Sequence, residues 1–160
     1  MNIKEVLNDK NVDFSGIPLP YFLIGLLSAF ENRFQAMADK TMKEISWKQF
    51  FAIICIKMCK ESPTINELAE IMGSSHQNVK QILLKLEKKD FVKIIIDKDD
   101  KRKQRILLTE HCKEFCQKND AMSQAIMESL FYQISPEQLQ TTIKTIIQVE
   151  DNLKKLEGEW

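Results

Sequence analysis

Within the stretch SSHQNVKQ the chain sets Ser74, Ser75, His76, Gln77, Asn78, Lys80 and Gln81 close together. Gln is one of the few side chains able to bond an adenine edge through two hydrogen bonds, and Lys suits guanine or a phosphate. At about 100° per residue in a helix, Gln77, Lys80, Gln81 and Lys88 fall on one side, with Leu84 among them. Val79, Ile82, Leu83 and Leu86 fall on the other and form an inner face. Any solvent-facing helix carries such polar residues, so this segment alone does not separate a reading surface from a solvated one. A second cationic group follows in DKDDKRKQR, where Lys101, Arg102, Lys103 and Arg105 crowd a loop too polar to pack. Asp100 stands two residues before Arg102 and can hold that guanidinium by a charge-assisted bond, which limits the rotamers lost on binding. Lys103 and Arg105 are expected to add phosphate contacts.

Other chemistries have weaker support. Cys55 and Cys59 are four residues apart, and Cys112 and Cys116 repeat that spacing. Four thiolates on two helices would suit a zinc ion or a redox pair, making a thiol- or zinc-responsive sensor the rival reading. C-x-x-x-C is not the usual zinc-knuckle spacing, and Cys55 and Cys112 fall near Phe51, Ile54, Met58 and Phe115. Packing as small hydrophobes is therefore favoured, with no metal and no cofactor expected. His76 either meets phosphate or merely flanks a turn, and His111 has no second histidine near it in sequence. HExxH, GxSxG, GxGxxG and P-loop patterns are lacking, so the reading is not of an enzyme.

Those side chains need positioning elements. A chain of 160 residues suffices for one domain with helical extensions. At 44% hydrophobic and 29% charged residues it is ordinary for a folded protein. Only four Gly and four Pro argue against an all-β fold, which needs many turns. No apolar run approaches the roughly 20 residues that span a bilayer, and MNIKEVLNDKNVDF lacks the apolar core of a signal peptide. No membrane association and a cytoplasmic location are expected. Net charge is zero, yet residues 74–105 hold ten Lys or Arg against five acids, a surplus of five. A basic middle in an acidic frame is the asymmetry expected for a polyanion partner.

Helix signals dominate the remainder. Residues 17–42 carry Tyr21, Phe22, Leu23, Ile24, Leu26, Leu27, Phe30, Phe34 and Met37 around most of a helix surface, too apolar for a lone surface helix. Ser46 with Gln49 and Thr64 with Glu67 are capping-box patterns, the first helix running to about Lys60 and the second ending near Gly73. Ser74 or Ser75 caps the helix of residues 75–89. FVKIIID and QRILLT read as two strands enclosing the loop 97–103. Thr109 starts a long helix to about Gln133, and Ser135 with Pro136 starts the last, to about Leu156. Helix, glycine turn, helix and hairpin in this order make a winged helix-turn-helix, mainly α with a small β-hairpin wing.

TINELAEIMGSSHQNVKQILLKLEKKDFVKIIIDKDDKRKQRILLT resembles the winged core of MarR-type transcriptional regulators. The resemblance rests on Glu67-Leu68-Ala69, on LLKLEKKDFV, on Asp100 with Arg102, and on Leu108-Thr109. It extends over roughly residues 18–156. Asp90 stands where that family usually has Gly, at a position expected to be left-handed, and Lys101 stands where Arg is common. The resemblance implies an N-terminal extension at 1–16, a winged helix-turn-helix DNA-binding domain at 45–108, and helical dimerisation regions at 17–44 and 109–156. It implies a homodimeric repressor on double-stranded DNA, with the 75–89 helix in the major groove and the 97–103 loop at the minor groove or backbone. It also implies a crevice for a small aromatic effector, for which Phe34, Phe50, Phe51 and Phe115 are candidate lining residues. A winged-helix protein-interaction module is the remaining alternative, and it predicts no salt-dependent DNA affinity.

Overall fold

The computed structural model describes residues 16–157 together with the strand residues 8–9 and 12–13. The expected extension at 1–16 lies largely outside these. Within it, β1 (Asn8–Asp9) and β2 (Val12–Asp13) pair antiparallel, a hairpin that the sequence reading did not foresee. The chain continues as α1 (Leu19–Thr41), α2 (Trp47–Met58), α3 (Ile65–Ile71), α4 (His76–Lys88), β3 (Val92–Ile96), β4 (Gln104–Leu108), α5 (Glu110–Leu130) and α6 (Pro136–Glu157). It divides into two units, Met1–Cys112 and Lys113–Trp160.

The starts of the helices follow local chemistry. Ser46 Oγ accepts the Gln49 amide while the Gln49 side chain accepts the Ser46 amide, and Thr64 with Glu67 repeats this reciprocal pair. Ser75 Oγ accepts the Asn78 amide, so Ser75 rather than Ser74 caps α4. α2 stops at Met58, short of the expected Lys60, with Cys59 as its cap.

Both turns around α4 are built alike. After α3, Gly73 takes φ +58°, its amide bonds Glu70 O at 3.1 Å and the Ser74 amide bonds Ala69 O at 3.0 Å. After α4, Asp90 takes φ +58°, its amide bonds Glu87 O at 3.0 Å and the Phe91 amide bonds Leu86 O at 2.9 Å. Each is a Schellman closure with its C′ residue left-handed, the conformation Gly adopts without steric cost.

In the first unit the core lies between α2, α3, α4 and the hairpin. Ile53, Leu68, Val79, Leu83, Leu86, Phe91, Val92 and Ile106 are almost wholly inaccessible there. Each such aliphatic or aromatic side chain contributes roughly 1.5–3 kcal/mol on leaving water. The inner face expected of α4 (Val79, Ile82, Leu83, Leu86) is the buried one. Met58, read with the core face of α2, is instead 73% exposed because it ends the helix. β3 and β4 pair in register from Val92 opposite Leu108 to Ile96 opposite Gln104. Beside β4, the Ile106 amide bonds Pro63 O at 2.9 Å and Arg105 bridges Thr64, which fastens the hairpin to the entry of α3. Thr109 Oγ1 donates to Asp90 O and accepts the Cys112 amide, tying the hairpin's end to the end of α4 and opening α5. In the second unit α6 carries Leu139, Ile143, Ile147, Leu153 and Leu156, each at least one-third exposed. Ser135 caps it, accepting the Gln138 amide at 3.2 Å.

Candidate nucleic-acid interface

Gln77, Lys80, Gln81, Leu84 and Lys88 are all exposed on α4, opposite its buried stripe. The start of that helix is held firmly. Besides the Ser75 cap, Asn78 Nδ2 donates to Ser74 Oγ at 2.8 Å, so Ser74, Ser75 and Asn78 are engaged in ordering the first turn. His76 lies in a hollow of about 180 Å³ whose lining includes Arg102 and Lys103 of the hairpin loop and Asn66 of α3. The fold thereby brings the head of α4 and the loop tip, some 25 residues apart in sequence, to one cationic concavity. On the same flank Glu87 Oε1 accepts the Ile94 amide at 3.2 Å, fixing α4 against β3.

The loop 97–103 is an ordered turn. Asp97 Oδ1 accepts the amides of Asp99 and Asp100 at 2.8 and 2.9 Å, and the Asp97 amide bonds Lys103 O at 2.9 Å. Asp97 Oδ2 receives Arg105 Nε. The Arg105 guanidinium and these two amides hold the Asp97 carboxyl down at about 2. Sequence reasoning missed Asp97 as the organiser; the signal was an Asp opening the DKDD turn, where its side chain mimics a turn of backbone.

Arg102 and Arg105 have different places. Asp100 Oδ1 accepts the Arg102 amide at 3.1 Å and lies 3.2 Å from Arg102 Nε, while the Arg102 side chain remains 92% exposed. The bonds to Arg102 lower the Asp100 carboxyl below its ordinary value. Lys103 is also exposed, with Nζ 4.0 Å from Asp100 Oδ2. Arg105, expected to face phosphate with them, is largely enclosed. Its Nη1 donates to Ser62 O at 2.9 Å and lies 3.4 Å from Glu67 Oε2, in addition to the Asp97 bond. Its planar fork is thus divided between the loop and α3, and it serves as a clamp rather than a free cation. Glu67 Oε2 also accepts the Thr64 amide at 2.7 Å, and this bond, aided by Arg105, lowers its carboxyl. Lys101 is exposed at the loop tip.

The remaining candidates separate. Phe34, Phe50 and Phe51 gather around Trp47, whose ring lies 4.7, 6.2 and 6.0 Å from theirs. Trp47 was not anticipated as the centre of that cluster. Phe115 belongs to the second unit and is buried. Cys55 and Cys112 are buried, Cys59 and Cys116 half-buried, and all four are free thiols. Burial raises the Cys55 thiol, and burial together with the Glu67 charge raises Cys59, opposite to the depression that activates a nucleophile. Cys59 Sγ donates to Cys55 O at 3.2 Å. Among the described residues no group of three His, Cys, Asp or Glu is placed to hold a metal ion. No helix among them is long and apolar enough to cross a membrane.

This architecture is shared with known proteins. Residues 45–103 match the MarR family model, and no curated protein sequence matches the chain. A MarR/EmrR family transcriptional regulator from Acinetobacter sp. ADP1 superposes with TM-score 0.77 at 14% identity, over 87% of this chain and 99% of that one. MepR of S. aureus, solved as a DNA complex, gives 0.72 at 18% identity over 80% and 95%. The organohalide-sensing transcriptional regulator RdhR, in its 2,4-dichlorophenol-bound form, gives 0.74 at 17% identity over 88% and 85%. The chain thus has the MarR winged-helix fold over most of its length, and its winged segment matches that family in sequence.

Proposed function

We propose that this chain is a MarR-type transcriptional regulator: a homodimeric, sequence-specific DNA-binding protein acting in the cytoplasm as a ligand-responsive repressor. One observation carries the reading. The polar face of α4, with Gln77, Lys80 and Gln81 exposed, stands beside a hairpin loop whose Arg102 is 92% exposed yet aimed by Asp100. A helix of that composition suits the major groove, and a projecting Arg suits the enhanced negative potential of a narrow minor groove. Ser74, Ser75, His76 and Asn78 set the helix at the duplex backbone, Lys101 and Lys103 add phosphate contacts, and Arg105 keeps the wing at its angle.

Dimerisation follows from apolar surface. On α1, Leu19, Tyr21, Ile24 and Phe30 are 65, 74, 54 and 48% exposed, and α6 bears its own stripe of Leu and Ile. Surfaces of this kind are covered in a stable protein, here by a second copy. Two copies related by a two-fold axis read a pseudo-palindrome with half-sites roughly one helical turn apart. A small aromatic effector is the ligand class that suits the surroundings of Phe34, Phe50 and Phe51 about Trp47. The DNA complex of MepR and the dichlorophenol-bound RdhR support both halves of the reading by analogy.

Selection from a random duplex pool tests it. The expected result is an enriched inverted repeat bound by two chains; failure to enrich any sequence, or a monodisperse monomer at micromolar concentration, would overturn it.

A further inference from the structure

The flank of α4 away from the wing faces a second, larger concavity. A crevice of about 570 Å³ runs between the α1–α2 connection and the side of α4, and Lys43, Lys48, Lys85 and Lys89 line it with Asp39 and Glu44. Four basic residues and two acidic ones thus share its lining. One of those acids is already engaged, since Asp39 Oδ1 accepts the Trp47 amide at the start of α2. Lys89 Nζ holds Glu44 O and thereby pins the connection to α4. The other three lysines are exposed.

We infer that this crevice is a binding site for a DNA backbone phosphate, on the side of the recognition helix opposite the wing. The inference rests on the DNA-binding reading above and adds a contact to it. At about 100° per residue, with Gln77 as origin, the reading face (Gln77, Gln81, Leu84, Lys88) centres near 0°. The crevice residues Asn78, Lys85 and Lys89 lie at about 80–120°, and the wing-side residues His76 and Glu87 at about 260–280°. The two flanks are therefore opposite each other across the reading face. A helix roughly 10–12 Å across fills a major groove about 12 Å wide, so both of its flanks approach the phosphates that border the groove. Arg102 and Lys103 meet one border. The lysine crevice lies on the flank that approaches the other. The crevice is open to solvent rather than enclosed, which suits a polyanion passing over the surface better than a small molecule held inside.

Phosphate contacts are independent of sequence, so no operator is needed to test this. The triple variant Lys43→Gln, Lys48→Gln, Lys85→Gln leaves the structural Lys89 in place and alters only exposed side chains. Affinity for a labelled random-sequence duplex of roughly two helical turns is measured across a salt series, beside the wild type. The magnitude of the slope of log K against log salt should fall by about two for the dimer, at about 0.9 for the one phosphate no longer neutralised in each of its two crevices. The sequence preference from pool selection should stay the same. A variant slope equal to the wild type's would overturn the inference alone. A wild type with no salt-dependent duplex affinity would overturn the DNA-binding reading itself. Inorganic phosphate serves as the third arm: if it raises the wild-type Tm but not the variant's, and the duplex slope is unchanged, the crevice holds a free anion and the backbone assignment fails.

Discussion

Asp90 is held in a conformation that suits glycine, and replacing it tests the account of how α4 ends. Its φ is +58°, and its carboxylate has no hydrogen bond or ion pair among the described residues. A left-handed L-residue costs roughly 1–2 kcal/mol, with Asp toward the lower end because its short polar side chain tolerates the region. A carboxylate just past a helix C-terminus adds an unfavourable interaction of about 0.3–1 kcal/mol with the macrodipole. Asp90→Gly removes both and loses roughly 0.5–1 kcal/mol to the greater freedom of Gly in the unfolded chain. The balance is a gain of about 1 kcal/mol, or a Tm about 2–4 °C higher for a chain of this size. Asp90→Asn relieves the charge while keeping the left-handed tolerance, so it should recover only a few tenths of a kcal/mol. Thermal melts at one fixed protein concentration measure these shifts without interference from assembly. Because the carboxylate faces no partner, duplex affinity should not change. A lower Tm for Asp90→Gly would refute the reasoning and show that the Asp side chain stabilises the turn.

Base reading is tested by Gln77→Ala and Gln81→Ala. At least one should cost roughly 1–3 kcal/mol on the selected site with a smaller loss on random duplex, and equal losses on both would show backbone contact only. Arg102→Ala should weaken binding strongly while leaving the Tm nearly unchanged, and Arg102→Lys should restore part, since Lys keeps the charge but lacks the planar fork. Asp100→Ala should weaken binding as well, although it removes a negative charge; tighter binding at every salt concentration would eliminate the aiming role. Asp97, held at about 2, stabilises the wing above the ordinary carboxylate value and loses that contribution as pH falls through about 2. Its carbon-detected titration midpoint should lie near 2 and rise toward 3.8 in Arg105→Gln; a wild-type midpoint already near 3.8 would remove the clamp.

What was legible in the sequence is what depends on neighbours a few residues away. The Ser46–Gln49 and Thr64–Glu67 boxes, the buried period of Val79, Ile82, Leu83 and Leu86, and the left-handed Asp90 are of this kind. Each is decided by hydrogen bonds or sterics within one or two turns of chain. The order of those elements then implied a winged helix, and the fold comparison agrees. What sequence spacing could not supply is the partner of a side chain across tens of residues. Arg105 looked like one more loop cation in DKRKQR, yet Ser62 and Glu67 enclose it because β4 runs beside the entry of α3. Lys43 and Lys48 looked unrelated to Lys85, and only the packing of α2 against α4 brings them to one crevice. Charge is carried by flexible stems with no periodic signature, so composition records how many cations a segment holds. Tertiary packing alone decides which of them are taken up inside the protein and which still face a partner.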